Sequence, residues 1–216
     1  MPKDAKPAAT TPRTPRHSGD ERRGQVVRAA LTLAEQGLSA VTIAALAKAV
    51  GVVPSAIYRH FDGRDDVIRA AFEHVRGLMG RNLRRAATEP RALAGLEDFL
   101  RRHLALIDRH RALPRMLFSE QATAMDSVLR QAIVAGQDAM LTGIAAIIAR
   151  GQAEGEIRRD AEPRDLAVLF LSQMLLPAHM RYIRGGDFDM TGQVERNWRI
   201  FRQMLSPAAE TWEAPA

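Results

Sequence analysis

The sequence predicts an all-α protein, and three observations lead to this prediction. Apolar residues recur at intervals of three and four along most of the chain, as they do on the inward face of an amphipathic helix. Proline, glycine and helix-capping residues separate the segments that carry this pattern. Alternation of apolar and polar residues never extends far enough to indicate a β-strand. We therefore expect an all-α fold of about nine helices.

The composition is that of a globular chain. Of its 216 residues, 46% are hydrophobic and 26% are charged, which provides enough apolar material for a core. The absence of cysteine excludes disulfides, thiolate catalysis and Cys-ligated zinc, and it fits a reducing cytoplasm. No uninterrupted apolar run reaches about 18 residues, so we expect no transmembrane helix and no membrane partner. The net charge of +6 permits a polyanionic partner but does not indicate one, because arginine is common throughout.

The first predicted helix follows a polar tail. Residues 1–18 are rich in proline, alanine, threonine and basic residues and lack apolar periodicity, so we expect a disordered basic tail. Residues 18–21 form a capping box that begins a helix. Gly37 ends it, because glycine readily adopts the left-handed conformation. The inward face of this helix carries Val26, Val27, Ala30, Leu31 and Ala34.

Residues 39–68 predict two short helices joined by a glycine turn, followed by the start of a third helix. Thr42 is suited to cap the first short helix, and Gly51 ends it. Pro54 suits the first turn of the second helix, where its missing N–H leaves nothing unpaired. Residues 62–65 resemble another capping box. This is the layout of a helix-turn-helix, in which the second helix enters the DNA major groove.

A fixed pattern of residues runs through this predicted helix-turn-helix. Its members are Thr42, Leu46, Ala47, Gly51 and Val52, then Ile57, Tyr58, Arg59, His60 and Phe61, and finally Arg64, Val67 and Ile68. The pattern is specific, because glycine, tyrosine and phenylalanine stand at fixed offsets within a helical periodicity. Over about residues 20–68 it resembles the DNA-binding domain of the TetR (tetracycline-repressor) family. Beyond this segment the chain resembles the family only in length, helix content and helix order.

The resemblance implies specific DNA contacts. The positions implied to meet phosphates are Thr42, Tyr58, His60 and Arg64, the last in place of the usual lysine. The positions implied to meet base edges are Pro54, Ser55, Ala56 and Arg59. Val53 stands where a serine N-cap is common, so we expect no side-chain cap on this helix. Because few of these side chains form hydrogen bonds, part of the specificity is expected to come from DNA shape.

Helical patterns continue through the remaining two thirds of the chain. The predicted helices span residues 67–87, 91–109, 112–120, 124–153, 163–184 and 191–205. Proline or glycine marks the breaks between them. The predicted domains are a helix-turn-helix domain at 19–66, a helical effector-binding and dimerisation domain at 67–206, and a flexible C-terminal tail at 207–216.

The resemblance further implies a homodimer that binds a palindromic operator on double-stranded DNA and releases it when a small, largely apolar effector enters the second domain. Dimer contacts are expected from Leu166, Leu169, Met180, Val194, Trp198, Phe201 and Leu205, although these residues also suit an intramolecular core. The effector pocket is expected to be lined by Phe72, Val75, Met79, Phe99, His103, Met116, Phe118, Gln121, Met140, Phe170, Gln173 and Met174. Each phenylalanine or methionine taken singly is more often an ordinary core residue than part of a pocket wall.

Nothing in the sequence indicates an enzyme. The six histidines show no tight metal-ligand spacing, and neither a glycine-rich phosphate loop nor a Gly-x-Ser-x-Gly elbow occurs. We therefore expect no catalysis, no metal and no cofactor. The predicted function is a ligand-responsive transcriptional regulator, by family default a repressor, located in the cytoplasm on the nucleoid. The alternative is a helical protein-interaction module without specific DNA binding, and salt-dependent binding to one palindromic duplex separates the two.

Overall fold

The computed structural model describes residues 19–111, 113 and 127–207, and within these residues every regular element is helical. The α-helices are α1 (Gly19–Ala34), α2 (Ile43–Val50), α3 (Pro54–Ile57), α4 (Arg64–Thr88), α5 (Ala92–Arg109), α6 (Ser127–Ala153), α7 (Pro163–Ile183) and α8 (Met190–Met204). A 3-10 turn, Leu38–Ala40, precedes α2. The predicted all-α fold is confirmed. Most of the helix predicted at 112–120 and nearly all of both predicted tails lie outside the described residues.

Helices α1 to α3 and the first half of α4 share one core, which we call the head. Gly51 has the left-handed conformation typical of a glycine that ends a helix, with φ of 73° and ψ of 40°. Gly37 differs from the predicted left-handed conformation: its φ of 119° is positive, but its ψ of 154° is extended, which glycine also adopts readily. The Thr42 hydroxyl accepts a hydrogen bond from the Ala45 N–H at 3.1 Å, so Thr42 caps α2 as expected. The largest buried side chains of this core are Leu46, Ile57, Phe61 and Ile68.

The start of α4 differs from the predicted capping box. Gly63 is the N-cap and provides no side-chain hydrogen bond. The Asp66 carboxylate accepts the Asp62 N–H at 3.2 Å and also binds Arg69 at 2.6 Å. The carboxylate that accepts the Asp62 N–H is therefore that of Asp66, one position later than the predicted Asp65, because Gly63 enters the helix in an extended conformation.

The second half of α4 and helices α5 to α8 enclose a separate core, which we call the body. Its centre is an aromatic cluster in which Phe170 lies 6.0 Å from Phe99, 6.0 Å from Trp198 and 5.9 Å from Phe201, measured between ring centroids. Helix α4 belongs to both units, since its residues up to Val75 pack in the head and Ala86 packs in the body. It is thus a continuous rod that joins the two.

Two helices of the body are unusually apolar. Within the described residues, Ile133–Ala153 of α6 and all of α7 are long and apolar enough to cross a membrane, judged by length and composition alone. Here they pack against each other and against neighbouring helices of the same bundle. Part of their apolar surface remains uncovered in the single chain.

Candidate nucleic-acid interface and effector cavity

Helix α3 and the turn after it form an exposed segment on a buried support. The α-helix proper is one turn long, from Pro54 to Ile57, and residues 58–60 continue it as a hydrogen-bonded turn. Ile57 and Phe61 are buried in the head core, whereas Tyr58 keeps 58% of its surface exposed. Residues spaced four apart lie on one face of a helix, so the two anchors turn the intervening side chains outward.

The predicted base-reading positions lie on this outward surface. Pro54, Ser55 and Arg59 are exposed, and Ala56 is half-buried at the edge of the core. Val53, at 65% exposure, provides no side-chain cap, as the sequence indicated. Most side chains here are small, so the backbone of this segment can approach a groove about 12 Å wide.

Arg23 of α1 fixes the end of the exposed segment. Its guanidinium donates to the carbonyl oxygen of His60 and lies 4.3 Å from the centroid of the Phe61 ring. The bond joins residues 37 positions apart in the chain. Sequence spacing therefore held no signal for this role of Arg23.

Arg64 is more constrained than the sequence implied. Its Nε donates to the Val41 carbonyl at 2.8 Å, and one terminal nitrogen donates to the Leu38 carbonyl, also at 2.8 Å. The other terminal nitrogen pairs with Asp65 at 2.9 Å. Arg64 thus fastens the start of α4 to the turn before α2, and only its remaining N–H groups are free to contact a phosphate.

This bridge brings the start of α2 next to the start of α4. Thr42 follows Val41 directly and is exposed, so its capping hydroxyl and the Arg64 guanidinium lie on adjoining turns. The N-terminus of α2 carries unpaired N–H groups and a positive dipole end, both of which favour phosphate oxygens. His60 is half-buried and lies instead near Gly19, at the start of α1. Of the predicted phosphate-contacting positions, the structure thus brings Thr42 and Arg64 together.

A cavity of about 410 Å³ lies in the body between α4, α5, α6 and α7. Its wall is largely apolar, as is usual for small-molecule sites. Of the predicted lining residues, the structure brings together Phe72, Val75, Met79, His103, Met140 and Met174. Additional lining side chains that the prediction missed include Leu83, Ile107, Ile133, Leu141, Leu171 and Leu175. Their helical spacing alone did not distinguish a cavity wall from a filled core.

Three other predicted lining residues, Phe99, Phe170 and Gln173, do not line the cavity. Phe99 and Phe170 are fully buried in the aromatic cluster behind it, because they fill the contact between α5, α7 and α8. Gln173 is buried but does not line the cavity, and neither end of its side-chain amide has a hydrogen-bond partner. Met116, Phe118 and Gln121 lie outside the described residues.

His103 is the one buried titratable side chain in the described cavity wall. It is 7% exposed and stacks on Phe99, with ring centroids 5.2 Å apart and planes 19° from parallel. Within the described part of the chain, its Nδ1 has no hydrogen-bond partner. Burial lowers the pKa of His103 to about 4, so the imidazole is uncharged at neutral pH.

Most of the predicted dimer-interface residues are instead internal. Leu166, Val194, Trp198, Phe201 and Leu205 are buried in the body core of the single chain. They hold α7 and α8 against α5 and the rest of the body, so they leave little surface for a partner chain, in contrast to the expected dimer contacts. Leu169 is exposed, and Met180 is half-buried.

Other apolar residues of α7 and α8 are exposed. Leu169, Leu176 and Ile183 are spaced seven apart and form a stripe along α7. Ile200 and Met204 form a similar pair on α8. The seven-residue spacing was visible in the sequence, but α7 is apolar on all sides, so it did not show which stripe faces outward.

An exposed helix-turn-helix on a larger helical body defines a class of protein, the helix-turn-helix transcriptional regulators. Residues 26–71 match the family described as bacterial regulatory proteins, tetR family, and residues 92–204 match the tetracyclin repressor-like C-terminal domain. The chain therefore belongs to the tetR family of DNA-binding transcriptional regulators, a class of regulators rather than enzymes. The resemblance seen in the sequence is confirmed.

Known proteins similar to this chain include a curated relative and several solved structures. The nucleoid occlusion factor SlmA of Haemophilus influenzae is 30% identical over 114 residues, which cover 51% of this chain and 52% of SlmA. The chain thus aligns with about half the length of the curated relatives it matches.

The solved structures share the fold at low identity. The fatty acid degradation regulator FadR of Bacillus halodurans has a TM-score of 0.73 at 17% identity, covering 84% of this chain and 94% of its own. FadR of Bacillus subtilis, in complex with stearoyl-CoA, has a TM-score of 0.71 at 18% identity, and the match covers 84% of this chain and 98% of that FadR chain. A TetR-family regulator from Agrobacterium tumefaciens has a TM-score of 0.75 at 14% identity, and the match covers 88% of this chain and 100% of the regulator's chain.

Proposed function

We propose that this protein is a repressor that binds a palindromic operator as a homodimer and is released by a small, largely apolar effector. The observation that carries this proposal is the course of α4. This helix begins beside the exposed α3 segment, where Arg64 fastens it to the turn before α2, and farther along it lines the cavity with Phe72 and Met79. One rigid element therefore contacts both sites.

On DNA, the α3 segment is the recognition element. Ser55 and Arg59 supply the hydrogen-bonding side chains for base edges, and Pro54 and Ala56 supply apolar surface suited to a thymine methyl group. Thr42, Tyr58, His60 and the free N–H groups of Arg64 contact phosphates around it. These contacts position the protein, and the few base contacts leave part of the specificity to DNA shape.

The effector acts through α4. Val67 and Ile68 of this helix are buried in the head core, so a displacement of α4 at the cavity moves the head as well. A ligand needs only a differential affinity of about 1–3 kcal/mol between the DNA-competent and the displaced state to release DNA. We therefore propose a DNA-binding domain at 19–66 and an effector-binding and dimerisation domain at 67–206, with the first half of α4 packed in the core of the head.

The partner in the dimer is a second copy of the chain. The apolar stripe of Leu169, Leu176 and Ile183 and the pair of Ile200 and Met204 are exposed on the last two helices. Covering both helices with their copies would form a four-helix contact, and a two-fold axis there matches two half-sites of a palindrome. The protein then works in the cytoplasm, on the nucleoid.

An apolar effector agrees with the cavity wall and with the acyl part of the molecule that one relative holds. The FadR structure of Bacillus subtilis holds stearoyl-CoA in the same overall fold. In this chain the described lining is mostly leucine, isoleucine, valine, methionine and phenylalanine, and methionine adapts readily to ligands of varied shape.

The test is selection of duplexes from a random library by the purified full chain, followed by affinity measurements at several salt concentrations. We expect a palindromic site and an affinity that falls steeply with salt. Arg59→Ala should change the preferred base at one position in each half-site. Arg199→Ala, which alters an exposed side chain of α8 far along the chain, should leave the preferred bases unchanged. Failure to enrich any palindrome, or equal enrichment by wild type and Arg59→Ala, would contradict the proposal.

A further inference from the structure

We infer that the effector is an uncharged, mainly apolar molecule with a single hydroxyl or carbonyl group, which forms a hydrogen bond with the imidazole of His103 inside the cavity. This inference rests on the proposed function, because it assumes that the cavity of the body is the effector site. It adds the chemical class of the ligand and names the side chain that recognises it.

Charge in the cavity wall is confined to its outer part. Among the described lining residues the titratable side chains are Glu73, Arg76 and His103. Glu73 and Arg76 are exposed and form an ion pair with each other one turn apart on α4. A charged group deep in the cavity would therefore find no free counter-charge in the described wall.

The other polar lining groups do not offer a buried site either. Gln137 is exposed, and the Ser172 hydroxyl donates to the Leu169 carbonyl of its own helix at 2.8 Å. His103 differs from both, because it is more than nine-tenths buried and its Nδ1 has no partner among the described residues. A buried polar atom without a hydrogen bond is costly, and a ligand group that supplies the bond recovers that cost.

The chemistry of this imidazole selects the ligand group. The ring is neutral, since burial without a neighbouring acid lowers its pKa. A neutral imidazole has one N–H donor and one acceptor nitrogen, so a hydroxyl can use either and a carbonyl oxygen can use the donor. An ionised carboxylate or an ammonium at this position would lose its hydration without gaining an opposite charge.

Binding of 1-decanol, 2-decanone and decanoate to the full chain tests the inference, because the probes share an apolar chain and differ in their polar end. Calorimetric titration at pH 7.5 without DNA should show that decanol and decanone bind at least about tenfold more tightly than decanoate. His103→Leu should weaken decanol and decanone about threefold to tenfold and leave decanoate nearly unchanged.

Two further variants serve as controls. Met140→Leu changes the shape of the wall without a hydrogen bond, so it should shift the affinities of all three probes by a similar factor. His103→Gln keeps a donor and an acceptor, so it should retain part of the preference for decanol. If thermal melting shows that His103→Leu is unfolded, the comparison of His103→Gln with wild type and with Met140→Leu decides the question.

The outcomes separate this inference from the proposed function. Equal affinity for decanoate and decanol, an unchanged preference in the folded His103 variants, or no saturable binding of any probe overturns the inference. Operator release is measured separately. Release by apolar ligands without any dependence on His103 leaves the proposed function intact and removes the inference. Binding that depends on His103 but never releases the operator supports His103 as the recognition side chain of the cavity and contradicts the effector part of the proposed function.

Discussion

The head and the body pack their side chains in opposite ways. In the head, Leu46, Ile57 and Phe61 fill the interior and leave short, exposed side chains on α3. In the body, four helices surround an open cavity, and a polar side chain, His103, lies within it unpaired. A surface that reads DNA needs a rigid support, whereas a site that responds to a ligand must retain empty space and unmade bonds. Each of the following predictions tests this contrast.

The largest effect is expected in the filled core of the head. Phe61→Ala removes a side chain that is 2% exposed, and it should lower the free energy of unfolding by about 3–5 kcal/mol. Urea titration of the full chain measures this change. Tyr58→Ala is the matched control, because this ring is largely exposed; it should cost little stability while weakening operator binding. Equal losses of stability in the two variants would show that α3 lacks the buried support described here.

The next effect belongs to the body and depends on pH. The pKa of His103 is about 4 in the folded chain and 6.5 when unperturbed, so the unfolded chain binds a proton more readily. His103 therefore destabilises the fold as pH falls from 6.5 to 4, by about 3 kcal/mol in total, and has no such effect above pH 6.5. In urea titrations, His103→Leu should lose correspondingly less stability over this range. Parallel curves for the two proteins would contradict the buried, neutral imidazole.

A smaller loss is expected where the backbones of two body helices lie close together. A Cβ on Gly95 of α5 would lie on the carbonyl oxygen of Ala86 in α4, well inside contact distance. Gly95→Ala should lower the free energy of unfolding by about 1–3 kcal/mol, since the backbones of α4 and α5 must then move apart. A Cβ on Gly77 of α4 would make only an ordinary contact with the end of the Arg81 side chain, 3.7 Å away, so Gly77→Ala should instead stabilise the helix by about 0.5–1 kcal/mol. If thermal melts show that both variants change the stability in the same direction, the close α4–α5 contact is excluded.

The smallest effect distinguishes the two roles of Arg64. Arg64→Lys keeps the positive charge but cannot bond both carbonyls, so it should cost about 1 kcal/mol of stability. It should keep the salt dependence of operator binding, whereas Arg64→Ala should reduce the salt slope by about one. An unchanged slope in Arg64→Ala would leave Arg64 with a structural role only.

The sequence predicted the head more accurately than the body. The Gly51 turn, the Thr42 cap and the buried Ile57 and Phe61 follow local rules, because each depends on residues a few positions away. The Arg23–His60 contact could not be predicted in this way, since it depends on how distant helices pack.

In the body, the helices were predicted well but the roles of their faces were not. Trp198 and Phe201 were expected at a dimer interface and are buried in the chain's own core. Phe99 and Phe170 were expected in the cavity wall and lie behind it. An apolar side chain on a bundle helix fits a core, a cavity or an interface equally well, and tertiary packing alone determines which of these it joins.

The central claim, that the α3 segment enters the major groove twice per assembly, has a direct measurement. The chain contains no cysteine, so Ser55→Cys provides a unique attachment site for an iron–EDTA cleavage reagent. Bound to the selected operator, the labelled protein should cut the duplex at two places about one helical turn, or a multiple of it, apart, once in each half-site. The same reagent attached to Glu195→Cys, an exposed position on α8, should give no cleavage. A single cleavage site, or equal cleavage from both labelled positions, would contradict the account.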